Sequence, residues 1–255
     1  LSVTPSAISQ RIRNLEDRSG TALIDRGPPV RGTGAGLRLA AHLDQVRLLE
    51  SGLQGALRPD APPVVRIAVN ADSLACWAMA PLAAAPGLLD LIVDDQDHAQ
   101  DWLKSGQVAA ALTSEARPLP GCDSIPLGRM RYRATASPDF AARHVAEGVT
   151  ADSLSRAPSL SFNSKDGLQD RWVRMRVGRA VALPLHRIPS PQAFAGATRM
   201  GLGWGMNPEA MVAGDLAAGR LVDLAPDLPL DVPLVWQVAP LTRAIRQAAG
   251  AALLS

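Results

Sequence analysis

The hydrophobic and polar positions of residues 1–20 repeat with the period of a single α-helix. Thr4 is a good N-cap, Pro5 suits the first helical position, and Gly20 favours the helix end. The apolar face carries Ile8, Ile12 and Leu15, and the opposite face carries Ser6, Ser9, Gln10 and Arg13. That second face holds the donors and cations with which a helix contacts bases and phosphates in the major groove of DNA. An ordinary amphipathic surface helix is the alternative.

A second helical pattern runs from residue 36 to residue 57, with apolar residues at steps of three and four. They are Leu39, Leu43, Val46, Leu49, Leu53 and Leu57. One continuous apolar stripe on a long helix needs a partner, which is either the helix's own domain or a second copy of the chain. The proline-rich segment 58–63 that follows predicts a stiff linker and a domain boundary.

From residue 64 onward, short apolar runs alternate with helical patterns, which is typical of a parallel sheet with crossover helices. The predicted strands are 64–69, 88–93, 108–113, 131–136, 159–162, 186–189, 203–206 and 232–237. The predicted helices are 73–84, 97–104, 138–144, 151–156, 167–177, 191–200 and a last one from Thr242. We therefore expect an α/β fold in two lobes that are joined by crossing strands.

Composition and charge agree with two or three compact units and a sizeable core. The chain has 255 residues, of which 47% are hydrophobic and 20% charged. Its formal net charge is only +2, which excludes a polybasic tail. Residues 1–38 nevertheless carry six arginines against three acidic residues, so a local excess of positive charge lies beside the first helix.

Patterns for catalysis, metal binding or membrane insertion are missing from the sequence. The four histidines show no HExxH spacing, there is no GxSxG motif, and Cys76 and Cys122 have no metal or redox spacing. The most apolar stretch, residues 74–89, is too short and too interrupted by proline to span a bilayer. We therefore expect no enzyme, no cofactor, no metal and no membrane partner, and a protein with free thiols in the cytoplasm.

Three segments near the front resemble the winged helix-turn-helix of LysR-type transcriptional regulators. They are VTPSAISQRIRNLE at 3–16, LIDR at 23–26 and TGAG at 33–36. The resemblance implies that residues 1–35 bind double-stranded operator DNA, and that the helix at 36–58 pairs with its twin in a homodimer, or further in a tetramer. RNA polymerase would be a partner if the protein is an activator. In the family one helix and most of a second precede this point, so we expect an incomplete motif and poor DNA binding by the chain as given.

The residues that carry these two expectations can be named from the patterns above. The DNA-binding candidates are Thr4, Pro5, Ser6, Ser9, Gln10, Arg11, Arg13 and Arg31. The dimerisation candidates are Leu39, Leu43, Val46, Leu49 and Leu53.

Polar residues follow the predicted strands at their carboxyl ends, where ligands bind in open α/β sheets. The candidates are Asn70, Asp72, Ser73, Asp95, Gln96, Thr113 and Glu115 in the first lobe, and Asn163, Asp166, Ser190 and Trp204 in the second. A concentration of acidic residues between Asp90 and Asp101 favours a cationic ligand. Alternatively, Asp72 or Ser73 merely caps the next helix and the other carboxylates form a solvated face.

Longer segments resemble one branch of the same family, the lysine- and arginine-responsive regulators of basic amino-acid export known as ArgP, IciA and LysG. They are VNADSLACW at 69–77, DDQDHAQDWL at 94–103, SFNSKDGLQDRW at 161–172, GLGWGMNPE at 201–209 and LDVPLVWQ at 230–237. The resemblance implies a periplasmic-binding-protein-like effector domain at 64–255, with lobes of roughly 64–130 plus 206–255 and 131–205. It also implies L-lysine or L-arginine as the effector between them, with Asp72 as the first candidate to hold a cation.

Two other interpretations stay open. A solute-binding protein on the same two-lobed fold would not carry the helix at residues 3–16, which argues against it. A truncated regulator that binds its ligand but not DNA is consistent with every pattern above.

Overall fold

The computed structural model describes residues 4–28, 30–40, 42–43, 46, 64–84, 87–94, 99–115 and 117–239. Several predicted features lie outside these residues: the linker at 58–63, the final helix from Thr242, and the positions Leu49, Leu53, Asp95 and Gln96.

The first helix, α1 (Pro5–Ser19), begins and ends at its predicted caps. The Thr4 hydroxyl accepts a hydrogen bond from the Ala7 amide at 3.4 Å, which satisfies one free donor of the first turn. Gly20 closes the helix with a left-handed φ of 66°. Both signals are local, so the sequence could place this helix without knowledge of its surroundings.

A two-strand wing and a second helix follow α1. They are β1 (Ile24–Asp25), β2 (Arg31–Gly32) and α2, which is helical at residues 34–40, 42–43 and 46. The Glu16 carboxylate ties α1 to the wing, because it accepts the amides of Leu23 at 2.8 Å and Ile24 at 3.2 Å. It also pairs with Arg26 at 3.0 Å, and these contacts, led by the Leu23 amide, lower the pKa of Glu16. A Cβ atom at Gly36 would overlap the Leu23 carbonyl, so only glycine fits where α2 meets the wing.

Strands and helices alternate through the rest of the described chain, and the predicted α/β fold is confirmed. The strands are β3 (Val64–Val69), β4 (Leu88–Val93), β5 (Ala110–Thr113), β6 (Asp123–Ala136), β7 (Ser159–Ser161), β8 (Leu185–Arg187), β9 (Gly205–Pro208), β10 (Val222–Asp223) and β11 (Leu230–Val238). The helices are α3 (Ala71–Ser73), α4 (Met79–Ala83), α5 (Ala99–Lys104), α6 (Pro138–His144), α7 (Ala151–Arg156), α8 (Leu168–Val177), α9 (Pro191–Arg199) and α10 (Glu209–Ala217). A π-helical turn, Leu74–Ala78, joins α3 to α4 without a break.

The sheet that these strands build is mixed rather than wholly parallel. Seven of the described strands form it in the order β10-β6-β11-β5-β3-β4, and β9 also pairs with β6. β3 is parallel to β4 and β5, whereas β11, β9 and β10 are antiparallel to β6. β7 and β8 form a separate parallel pair, which a single bridge between Ser159 and Trp204 links toward β9.

The long strand β6 connects the two lobes. Its first part pairs with β11, and its last part pairs with β9 and β10. Tyr132 marks the change, since it lies opposite both Leu230 of β11 and Pro208 of β9. The first lobe therefore holds β3, β4, β5, β11 and the start of β6, and the second lobe holds the chain between residue 131 and β11.

This topology corrects the predicted lobe boundary, and the structure contains segments that the sequence pattern did not predict, among them the first half of β6, the helix α10 and the strand β10. The chain returns to the first lobe at β11 and not at residue 206, because β9 and β10 pair with the second-lobe part of β6. The first half of β6 escaped prediction because Pro126 and Gly128 interrupt its pattern, and a register shift between Leu234 and Val235 accommodates them. The helix α10 was also not predicted, since its short sequence, EAMVAGDLA, lacks a cap and contains glycine.

Candidate functional site

A cleft between the two lobes lies at the carboxyl ends of β3 and β4. The first lobe contributes Asn70, Ala71, Asp72 and Asp94, and the second contributes Phe162, Asp166, Leu168, Pro191, Phe194, Met206, Asn207 and Pro208. Its cavity volume is about 40 Å³, which is well below the usual range for small-ligand sites, so the two sides of the cleft stand close together in this structure.

On the first lobe, the start of the helix after β3 presents polar groups to the cleft. Asn70 occupies the N-cap position, and no side chain caps this helix, so neither Asp72 nor Ser73 has the capping role that was the alternative. The Ser73 hydroxyl is fully buried and makes no hydrogen bond with the described residues. A buried hydroxyl of this kind can serve a ligand without first breaking a bond within the protein.

Asp72 is tied to the strand that joins the lobes. The Tyr132 hydroxyl donates a hydrogen bond to Asp72 Oδ2 at 2.8 Å, and the Tyr132 side chain is only 1% exposed. Burial, and after it the negative charge of Asp72, raises the pKa of Tyr132 well above its usual value of 10.0. The phenol therefore stays protonated and keeps donating its hydrogen bond to Asp72 at the lobe junction.

Asp94, directly after β4, is the cleft carboxylate that the list of candidates lacked. Its Oδ2 atom accepts the Trp102 indole N–H at 2.9 Å, and its Oδ1 atom accepts the Lys165 ammonium from the second lobe at 3.0 Å. Its position gave a signal, because it is the first residue after a strand, as Asn70 is. The candidates chosen instead, Asp95 and Gln96, lie outside the described residues.

On the second lobe, Asn163 and Asp166 shape the loop between β7 and α8. The Asp166 carboxylate accepts the Phe162 amide at 2.8 Å and the Leu168 amide at 3.1 Å. The Asn163 side-chain oxygen accepts the amides of Lys165 at 2.7 Å and Asp166 at 3.1 Å. Asp166 also lines the cleft, whereas Asn163 acts on the loop backbone.

Asn207 is a second cleft residue that sequence reasoning missed. It is fully buried, and its amide group donates to Thr135 Oγ1 at 2.9 Å and to Thr198 Oγ1 at 3.1 Å. Its side-chain oxygen accepts no hydrogen bond from the described residues. This oxygen is a buried acceptor at the wall of the cleft, and such a group is stabilised by a donor from a ligand.

The remaining candidates lie elsewhere. Thr113 is buried at the end of β5, where its hydroxyl accepts the Glu115 amide at 3.1 Å. Ser190 caps α9 by accepting the Ala193 amide at 3.3 Å, and so fixes a helix whose Pro191 and Phe194 do line the cleft. Trp204 belongs to the core, with its ring 5.2 Å from that of Trp172, and does not line the cleft.

The N-terminal unit presents two different surfaces. The polar candidates of α1 are exposed, as is Arg31 in the wing; they are Ser6, Ser9, Gln10, Arg11 and Arg13. Between α1, the wing and α2 runs an apolar groove lined by residues such as Ile12, Leu23 and Leu37. Leu39 and Leu43 of the predicted dimerisation stripe are 39% and 48% exposed, and Val46 is half-buried.

Metal binding, membrane spanning and the two cysteines can be assessed for the described part of the chain. It contains no group of three or more His, Cys, Asp or Glu side chains that could hold a metal ion. No helix in it has the length and apolar character needed to cross a membrane. Cys76 and Cys122 are free, and burial followed by the charge of Asp72 raises the pKa of Cys76 to about 11.

Comparison with known proteins matches both parts of the chain. The family model of the LysR substrate binding domain matches residues 65–253, and that of the bacterial regulatory helix-turn-helix protein, lysR family, matches residues 1–37. HTH-type transcriptional regulator LysG of Mycobacterium tuberculosis is 43% identical over 261 residues, which is 98% of this chain and 86% of the relative. HTH-type transcriptional regulator ArgP of Pseudomonas aeruginosa is 44% identical over 248 residues, which is 92% of this chain and 81% of the relative.

Solved structures give the same result. The crystal structure of ArgP from Mycobacterium tuberculosis has a TM-score of 0.79 and 43% identity, and the match covers 98% of this chain and 88% of that one. Full-length LysG from Corynebacterium glutamicum with bound effector Arg has a TM-score of 0.70 and 33% identity, with 99% and 90% covered. The resemblance predicted from the sequence motifs is thereby confirmed.

Proposed function

From the premise that this chain belongs to the family of LysR-type transcriptional regulators, we propose that a basic amino acid, L-lysine or L-arginine, switches its activity by binding in the cleft between the lobes. The members of this family regulate transcription and are not enzymes. The observation that carries the proposal is the chemistry of the cleft wall. Asp72, Asp94 and Asp166 line it together, and the ammonium of Lys165 pairs with Asp94.

Three carboxylates at one narrow cleft favour a guest with positive charge, because low-dielectric walls focus their field. A basic amino acid brings two cations, the α-ammonium and the side-chain group. Asp72 lines the cleft and is held in place by Tyr132, so it is the first candidate for one cation. The buried oxygen of Asn207 supplies a further acceptor for an ammonium N–H.

The effector's carboxylate requires donors, and the start of the helix after β3 has them. Ser73 offers a buried hydroxyl without a partner among the described residues, and it lies in the first turn of that helix. Backbone amides at a helix N-terminus favour an anion through their partial positive charge. The Ser73 hydroxyl and two of the three cleft carboxylates, Asp72 and Asp94, thus belong to the same lobe.

The solved relatives support the same ligand class. The LysG structure from Corynebacterium glutamicum contains Arg as its bound effector and shares 33% of its sequence with this chain. Relatives that share 43% and 44% carry the names LysG and ArgP. The acidic cleft and these relationships are independent observations, and both favour a basic amino acid.

The DNA side of the proposal assigns operator binding to α1 and the wing. The exposed face of α1 carries Gln10 and Arg13, which suit base edges, and Arg31 in the wing suits phosphate. Pairing of two chains through the stripe at Leu39 and Leu43 would place two such helices on successive turns of DNA. A change of lobe closure would then alter their spacing and the bend of the operator.

Isothermal calorimetry with Asp72→Asn tests the effector site. The variant keeps the shape and the hydrogen bond from Tyr132 but removes the charge, so affinity for both basic amino acids should fall by about 2 kcal/mol or more, which exceeds tenfold. Asp152→Asn is the matched control, since Asp152 pairs with Arg156 on an exposed helix surface. L-norleucine, which lacks the side-chain cation, should bind the wild type weakly.

Two results would count against this assignment. Near-wild-type binding by Asp72→Asn would remove Asp72 from the cation site. If neither L-lysine nor L-arginine bound the wild type at millimolar concentration, the basic-amino-acid effector itself would be wrong, and only the regulator family would stand.

A further inference from the structure

An ion pair between the lobes crosses the proposed effector cleft. Lys165 of the second lobe places its Nζ atom 3.0 Å from Oδ1 and 3.4 Å from Oδ2 of Asp94, on the first lobe. The Asp94 side chain is 17% exposed and the Lys165 side chain 46%. The carboxylate thus belongs to the cleft wall, whereas the lysine is half-exposed and is not part of the cleft lining.

Both partners of this ion pair are held in place by other bonds. The Trp102 indole donates to Asp94 Oδ2 at 2.9 Å, which fixes the rotation of the carboxylate. The Lys165 amide donates to the Asn163 side chain at 2.7 Å, so the loop presents the lysine at a set point. The Asp166 carboxylate holds the same loop from within by accepting the Phe162 amide. The Asp94–Lys165 ion pair therefore forms between two side chains whose positions are fixed by their surroundings.

Lys165 carries the same charged group as the side chain of free L-lysine. The Lys165 ammonium lies against both oxygens of Asp94, closer to Oδ1 than to Oδ2, which also accepts the Trp102 indole. A second cation at the same carboxylate would lie close to this ammonium and be repelled by it, so the side-chain cation of an effector and Lys165 compete there.

We propose that Asp94 is the subsite for the effector's side-chain cation, and that Lys165 is its internal competitor. Binding of the effector displaces Lys165 from Asp94. The ion pair between the two lobes is lost, and an ion pair between the effector and the first lobe replaces it. This inference rests on the proposed function, since it takes the effector to be a basic amino acid. It gives the protein a built-in threshold, because the effector must exceed a competitor that is always present.

Replacement of Lys165 by methionine measures this competition. A half-exposed ion pair is worth little in water, so removal of the competitor should tighten binding of L-lysine and L-arginine by about two- to fivefold. L-norleucine, which has no side-chain cation, should bind K165M and wild type equally. Lys104→Met is a close control, because Lys104 and Lys165 are the two lysines of the sequence and Lys104 pairs with Asp101 at the same 3.0 Å, away from the cleft.

The same pair of lysines permits a direct readout in the wild type. Reductive methylation with ¹³C-formaldehyde keeps the charge and labels Lys104, Lys165 and the α-amino group, which the lysine variants assign in carbon-13 NMR spectra. Saturating L-arginine should shift the Lys165 signal toward that of a free dimethyl-lysine and leave the Lys104 signal in place. In the D94N background, K165M should no longer tighten binding.

The outcomes separate this inference from the proposed function. If L-arginine binds the wild type but the Lys165 signal does not move, or if K165M binds it no tighter, Lys165 is not a competitor while the effector assignment stands. Weaker binding by K165M would likewise overturn the inference, since Lys165 would then assist the effector. If neither basic amino acid binds the wild type, the proposed function is wrong.

Discussion

Alkaline pH is a direct probe of the lobe junction, because Tyr132 is the single tyrosine of the chain. In the folded protein its side chain is buried and donates to Asp72 at 2.8 Å, and both effects raise its pKa well above 10.0, with burial the larger. In the unfolded chain the phenol is solvated and ionises near pH 10. Above that pH the unfolded state loses a proton that the folded state retains.

This difference in bound protons lowers the free energy of unfolding as the pH rises above 10. A raised pKa in the folded state contributes stability that is fully present below pH 10 and is lost as the pH rises through the folded pKa. One proton corresponds to about 1.4 kcal/mol of unfolding free energy per pH unit at 25 °C. Between pH 10 and pH 11 the tyrosine alone should therefore lower the free energy of unfolding by roughly 1 kcal/mol.

Absorbance at 295 nm, which reports tyrosinate, tests whether Tyr132 stays protonated in the folded protein. The native protein should show no ionisation step near pH 10, and the step should coincide with loss of the folded signal in circular dichroism. Urea titrations at pH 9, 10 and 11 measure how the free energy of unfolding changes with pH. They require a Cys76→Ala background, because Cys76 has its own raised pKa of about 11 and loses its contribution from pH 9 upward.

Tyr132→Phe is the matched variant, since it keeps the ring and removes the hydroxyl. In the same background, the free energy of unfolding of this variant should fall less steeply above pH 10, by the contribution of one proton. A tyrosinate step near pH 10 in protein that is still folded would refute the argument, since Tyr132 would then be solvated and could not hold Asp72.

Three further predictions concern the N-terminal unit. In the native protein, Arg13→Ala should weaken operator binding by about 1–3 kcal/mol. Arg31→Ala should weaken binding to all DNA and reduce by about one the slope of log affinity against log salt concentration. Gel-shift titrations at several salt concentrations that match wild type would contradict both. Replacing Leu39 and Leu43 by Glu should dissociate the dimer in analytical ultracentrifugation, because it buries unpaired charge at the stripe, whereas exposed Val30→Glu should not. Gly36→Ala should destabilise this unit by about 1–3 kcal/mol, seen as faster hydrogen exchange in α1, because its Cβ meets the Leu23 carbonyl; Gly34→Ala, which meets only the far end of Arg38 at 3.7 Å, should not.

Local signals in the sequence were sufficient for much of this protein. Thr4 and Gly20 set the ends of α1 because capping involves only neighbouring residues. The mostly apolar run at residues 64–69 became β3 with the predicted bounds, and four of its six side chains are buried in the core. Asn70 and Asp72 could be chosen as cleft residues because they closely follow a parallel strand, at the edge of the sheet where ligands commonly bind.

Long-range pairing decided the rest. The sequence alone could not show that β9 and β10 join the second-lobe part of β6, because strand order depends on contacts between distant residues. Nor could it separate Trp204, which packs in the core, from a cleft residue, since both readings suit an indole. Asp94 and Lys165 lie 71 positions apart, and Asn207 is buried against Thr135, 72 positions away. Periodicity reports only which face of an element is apolar, so partners such as these become visible only when the strands are assembled.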